Sequence, residues 1–160
     1  MIILARFGKK NGQHHIPLHI AHLNVHKMKK NKTICIIDDE PINQFIVTTI
    51  IKSINKEIGI LSYENGEKAM EFLTKIHLSG NEMPDIILLD INMPVSSGWQ
   101  FMDEFIKIKP RISKIISIYI LSSSNDSADK RKAKTYKEIS GYLCRPVEPY
   151  TIKKIIEYVN

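Results

Sequence analysis

The sequence predicts a doubly wound α/β fold, with five parallel strands in one sheet and five helices covering both of its faces. Two observations predict it. From Lys32 onward, short β-branched runs bounded by turn residues alternate with longer segments of helical periodicity. The runs are also nearly unbroken in hydrophobicity, as a strand buried on both faces requires.

The elements follow in order. The strand-like runs are residues 33–37, 58–63, 85–89, 115–121 and 141–144. The candidate helices are 41–54, 66–78, 98–108, 127–137 and 149–159. Pro41 suits the opening turn of the first helix. Ile42, Phe45, Ile46, Thr49 and Ile50 share one side of that helix, the side an amphipathic helix turns to the core. In the last helix Ile152, Ile155, Ile156 and Val159 line one side, against Lys153, Lys154 and Glu157 on the other.

With 160 residues, 43% of them hydrophobic, the chain is one domain, or one domain and a tail, with enough apolar content for a core. Its longest apolar runs, such as 86–89, are too short to span a bilayer. The first residues lack the order of an export signal, so the expected location is the cytoplasm. A net charge of +6 raises the question of nucleic acid, but seven of the 23 basic residues lie within residues 1–32, where there is no Asp or Glu. The 16 that remain face 17 acidic residues, so the body is close to neutral and no nucleic-acid partner is expected. Cys35 and Cys144 lack metal-site spacing and read as small buried core residues. Residues 1–30 read as a basic, flexible extension, and 1–27 lie upstream of a natural domain start. His15, His19, His22 and His26 there have helical spacing, but Pro17 interrupts it and no carboxylate or thiol accompanies them.

Ligands of a doubly wound sheet gather beyond the carboxyl ends of its strands, where the strand order reverses. Asp38 and Asp39 directly follow the first run, and Asp90 the third. If those strands are neighbours, three carboxylates meet, and their mutual repulsion calls for a cation. An all-oxygen set suits Mg²⁺ better than zinc or copper. A carboxylate beside Mg²⁺ can attack phosphorus and form an aspartyl phosphate. A hydroxyl and a fixed cation would serve the remaining phosphoryl oxygens, and Ser122 and Arg145 follow the fourth and fifth runs at that same end.

These residues resemble the CheY-like receiver domain of two-component response regulators. Ile34-Cys35-Ile36-Ile37-Asp38-Asp39-Glu40-Pro41 is similar to the family's first strand and acidic pair. Asp85-Ile86-Ile87-Leu88-Leu89-Asp90-Ile91-Asn92-Met93-Pro94, with Gly98 after it, resembles the phosphoacceptor strand and loop. Leu121-Ser122-Ser123 and Gly141-Tyr142-Leu143-Cys144-Arg145-Pro146 look like the endings of strands four and five. The stretch 77–84 and Gly98-Trp99 are similar to small stand-alone receivers. The expected receiver domain is 31–160, with 1–30 as its extension.

The resemblance implies a strand order of 2-1-3-4-5 and makes Asp90 the phosphoacceptor, served by a histidine kinase or histidine phosphotransfer protein. It implies that Asp39 and Asp90 bind Mg²⁺ directly, Asp38 mainly through water, and Asn92 through its carbonyl. Ser122 would bond the phosphoryl group, and Tyr142 matches the aromatic that turns inward when Ser122 moves. On this reading the chain is a signalling phosphoacceptor, catalysing only its own phosphorylation and dephosphorylation. One departure stands out: the family has Lys where this chain has Arg145. Charge is kept while reach and geometry change, so an altered transfer rate or output is expected. A cis Arg145–Pro146 bond is also implied.

With the sequence ending at Asn160, output is expected to pass through a surface to a protein partner that the sequence does not identify. Lys130, Arg131, Lys132, Lys134 and Lys137 make the helix after Ser122 either a solvated face or a dock for an acidic partner. Three alternatives compete with this reading. A pseudo-receiver acting without phosphorylation finds its support in Arg145. A haloacid-dehalogenase-type phosphatase would need an acid where Asn92 stands. A flavodoxin-like carrier would need a phosphate loop where Asp38-Asp39-Glu40 would repel the phosphate.

Overall fold

The computed structural model describes residues 31–79, 82–123 and 126–159. The expectations about residues 1–30, the histidine set included, lie outside the described residues. The element order is β1 (Thr33–Ile37), α1 (Pro41–Ile54), β2 (Gly59–Tyr63), α2 (Gly66–Leu78), β3 (Ile86–Asp90) and α3 (Gly98–Ile108). A single 3-10 turn (Lys109–Arg111) then leads into β4 (Ser117–Ser122), α4 (Ser127–Ala133), β5 (Ile139–Cys144) and α5 (Pro149–Tyr158). The five strands pair in parallel in the order β2-β1-β3-β4-β5, as expected. No helix of the described residues is long and apolar enough to cross a membrane.

Alternate residues of the central strands feed opposite faces of the sheet. Cys35, Ile37, Ile87, Leu89, Ile118 and Ile120 pack with Leu73 of α2 and Phe101 and Phe105 of α3. Ile34, Ile36, Ile86 and Leu88 pack on the other face with Val47 and Ile51 of α1 and Ile152 and Ile156 of α5. All five residues of β3 are buried, which accounts for its unbroken apolar run. Helix starts are set locally. Asn65 caps α2 by accepting the Lys68 N–H at 2.9 Å. Ser97 and Gln100 form a capping box on α3. Pro41 and Pro149 occupy the first turns of α1 and α5.

Three expectations are corrected. The apolar side of α1 predicted to face the core is largely outside: Ile42, Phe45 and Ile46 are 60%, 67% and 49% exposed. Val47 and Ile51 are buried instead. The rotation is set at the first turn, where the Gln44 amide donates to the Asp38 carbonyl at 2.6 Å and turns that side of the helix to the sheet. The helix predicted to reach residue 137 stops at Ala133. Beyond it the Tyr136 ring stacks on Trp99 at 5.6 Å and its hydroxyl donates to Asp103 at 2.8 Å. These contacts with α3 outweigh the propensity of a lysine-rich segment to continue. Cys35 is buried as expected, but Cys144, on the edge strand, is exposed.

Candidate functional site

The strand ladder brings the acidic groups together. Ile37 pairs with Leu89, so Asp38 and Asp90 leave neighbouring strands at the same level. Asp90 pairs with Leu121 and Ser122 with Cys144, which carries the level across to β5, where the Arg145 N–H donates to the Ser122 carbonyl at 2.9 Å. All of this lies at the carboxyl end of the sheet, at the β1/β3 position where strand order reverses. Asp38, Asp39 and Asp90 each place a carboxylate oxygen within 4.8 Å of the other two.

Asp38 is fully buried, and its Oδ1 accepts the Glu40 N–H at 2.9 Å and the Asn43 amide at 3.4 Å. Its Oδ2 pairs with Nη2 of Arg145. Asp90 is 6% exposed; its Oδ1 accepts the Asn92 N–H at 2.9 Å, and its Oδ2 lies 3.2 Å from Nη1 of Arg145. Burial pushes the Asp90 carboxyl above its ordinary range. The Asn92 N–H and Arg145 pull it back, and the Asp38 and Asp39 charges push it up again. Ser122 is fully buried, accepts the Asn92 side-chain amide at 3.3 Å and shares a side-chain hydrogen bond with Tyr142. The Arg145–Pro146 bond is cis, as the resemblance implied.

Asp38, Asp39, Asp90, Asn92, Ser122 and Arg145 therefore fall at this edge, with Tyr142 against Ser122. Asn43 and Gln44, which were not singled out, tie the β1 tip to α1. Their signal was two adjacent amides in the first turn of a helix that follows the acidic pair. The cluster opens on a groove of about 550 Å³ lined by Asp39, Asp90 and Arg145 on one side and Ile46, Ile50 and Val147 on the other. Three carboxylates against one guanidinium leave excess negative charge, and all-oxygen donors at this spacing fit a hard divalent cation.

Gly98 sets how close α3 comes to this edge. A Cβ there would lie 2.4 Å from the Asp90 carbonyl oxygen and 2.8 Å from the Ile91 Cα, both backbone atoms that cannot swing away. Gly98→Ala is expected to lower stability by about 1–3 kcal/mol through overpacking. A urea midpoint unchanged from wild type would contradict this.

The family model of the response regulator receiver domain matches residues 34–157, most of the chain. The chain belongs to the response regulator receiver family. Protein PilH of Pseudomonas aeruginosa is 28% identical over 126 residues, covering 79% of this chain and 95% of that protein. The nitrate/nitrite response regulator protein NarL of Escherichia coli is 29% identical, covering 78% of this chain and 52% of NarL, a longer protein. The structure of a two-component response regulator from Cytophaga hutchinsonii superposes with a TM-score of 0.73 at 30% identity, covering 82% of this chain and 98% of that one. The receiver's Asp38/Asp39/Asp90 cluster is the type of acidic centre at which response regulators accept phosphate and bind a divalent cation.

Proposed function

We propose that this receiver takes a phosphoryl group onto Asp90 from a histidine kinase or histidine phosphotransfer protein, with Mg²⁺ as the cation. The signal then leaves through Ser122 and Tyr142 to a protein partner. The observation that carries this reading is the convergence of three carboxylates, one guanidinium and one hydroxyl at the β1/β3 switch point. Asp90 suits the nucleophile better than Asp38, because Asp90 lines the groove while Asp38 is fully buried. Asp39 and Asp90 would hold Mg²⁺ directly, Asp38 mainly through water, and the Asn92 carbonyl would complete the protein's share. When bound, the ion offsets the charge of the phosphoryl oxygens.

The protein's own groups do the rest. An Asp90 oxygen attacks phosphorus as the donor's bond to it breaks, and the displaced histidine keeps the electron pair of that bond. Arg145 neutralises a phosphoryl oxygen with a charge that does not titrate. The Ser122 hydroxyl donates to another oxygen. To do so it leaves its present hydrogen bond with Tyr142, and that exchange is the two-state element of the output.

The decisive experiment is incubation with Mg²⁺ and a small acyl phosphate, followed by intact mass. A gain of one phosphoryl group is expected; its absence under conditions that label other receivers would end the proposal. A protein donor must also reach the groove, which Ile46 of α1 lines, and the exposed Phe45 precedes Ile46 on that helix. Phe45→Asp is therefore expected to slow transfer from a histidine phosphotransfer protein by about tenfold or more, the effect of losing an apolar anchor. Labelling by acyl phosphate should be unchanged, and equal slowing with both donors would place Phe45 outside the docking surface.

A further inference from the structure

Unlike the carboxylates of Asp38 and Asp90, that of Asp39 takes no hydrogen bond or ion pair from the described residues. It nevertheless places an oxygen within 4.8 Å of both. Its position is therefore set by the backbone that carries it, and both peptide units flanking Asp39 are gripped. On one side the Asp38 carbonyl accepts the Gln44 side-chain amide at 2.6 Å. On the other the Glu40 N–H donates to Asp38 Oδ1 at 2.9 Å. The same Gln44 amide reaches the Tyr63 carbonyl at 3.4 Å, which also accepts the Asp38 N–H at 3.0 Å. One side chain from the first turn of α1 thus fastens the tips of β1 and β2 where Asp39 leaves the sheet.

We infer that Gln44 is a positioning residue for Asp39. By fixing the Asp38–Asp39 peptide it holds the Asp39 carboxylate in place before a divalent cation arrives, and so raises the affinity of the site. The inference rests on the reading of the cluster as a cation site. Its physical basis is that a planar peptide unit swings only as a whole, about the torsions on either side of it. With its carbonyl bonded to Gln44, the Asp38–Asp39 unit cannot swing without breaking that bond. Water can replace the donor but gives the unit no fixed direction. A site whose competent arrangement is occupied for only part of the time loses affinity by that fraction. Both Gln44 contacts are to backbone carbonyls and neither is to a carboxylate oxygen. Loss of the amide therefore changes how a ligand is held, not how Asp90 reacts.

The test is calorimetric titration of MgCl₂ into the metal-free full chain, for wild type, Gln44→Met and Ile51→Val. Methionine matches glutamine in length but has no N–H to donate. Ile51 is fully buried in α1 and lies outside the groove, so Ile51→Val loosens the same helix without touching the strand tips. Gln44→Met is expected to bind Mg²⁺ about tenfold more weakly, the lower end of what losing a residue that orients a metal ligand costs. Ile51→Val should bind as wild type does. In acyl-phosphate labelling, Gln44→Met should need about tenfold more Mg²⁺ for half-maximal rate and keep the wild-type rate at saturating Mg²⁺. If Gln44→Met fails to fold in chelator, Gln44→Asn, whose amide is withdrawn by one methylene, takes its place with the same expectation. Equal affinity in wild type and the Gln44 variant overturns the positioning role and leaves the cation site standing. Equal weakening in Ile51→Val also overturns it, since helix stability alone then accounts for the loss. A wild-type chain that binds Mg²⁺ without being labelled ends the phosphoacceptor reading, and the titration alone then decides this inference. No Mg²⁺ binding by wild type removes the cation site, and the role of Gln44 with it.

Discussion

Asp90→Asn is expected to gain no phosphoryl group from acyl phosphate under conditions that label the wild type, and in chelator at neutral pH to melt at a higher temperature. The first outcome follows from chemistry: an amide oxygen is a poor nucleophile, and of the three carboxylates it is Asp90 that ends β3 beside Ser122 and accepts the Asn92 N–H. The second follows from linkage. The folded-state pKa of Asp90 is raised, chiefly by burial. A raised carboxyl contributes stability that is fully present below its ordinary pKa of 3.8 and is lost as pH rises through the folded value. At neutral pH the ionised side chain is therefore a net cost, which a neutral amide of the same shape removes. The difference in melting temperature should shrink as the pH falls below that ordinary value, where Asp90 is protonated in both the folded and the unfolded chain. Intact mass checks the first outcome, and calorimetric melts over a pH series check the second. A mutant less stable than wild type at neutral pH would mean that the pair with Arg145 outweighs the burial of Asp90.

The fold was legible because its signals are local. Each central strand is a short β-branched run, and two-sided burial makes such runs hydrophobic throughout, as in β3. The acidic edge was legible for a related reason: in a parallel sheet all strands end at one side, so the residue after each run is placed by the run itself. Asp38, Asp90 and Ser122 are placed by that logic, and the registers of β1, β3 and β4 agree with it. The rotation of α1 was not legible, because the helix carries apolar residues around more than half of its circumference. Val47 and Ile51 are the ones that face the sheet, in a helix whose start is tied by Asn43 and Gln44 to Asp38. The end of α4 was missed similarly. Lys134 and Lys137 favour continuation, but Tyr136 finds Trp99 and Asp103 on α3. The two-pronged grip of Arg145 was also beyond the sequence, which shows a change of residue type but not that one fork spans two strand tips.

Asp38→Ala is expected to lower the stability of the metal-free protein by about 3 kcal/mol. Asp38 is fully buried, and alanine would leave three donors without their acceptor: the Glu40 N–H, the Asn43 amide and Nη2 of Arg145. The guanidinium dominates, because a mostly buried cation that loses its partner carries an uncompensated desolvation penalty, whereas the two neutral donors lie near enough to the surface to recruit water. Asp90 remains to hold Arg145, which keeps the loss at the lower end of what breaking a buried ion pair produces. Asp38→Asn retains an oxygen for the Glu40 N–H and should lose less. Urea unfolding in chelator measures both, and an alanine variant within about 1 kcal/mol of wild type would show that the Asp38–Arg145 pair is not a structural tie. Added Mg²⁺ should restore little of that stability, because the acidic cluster of Asp38→Ala has lost a member.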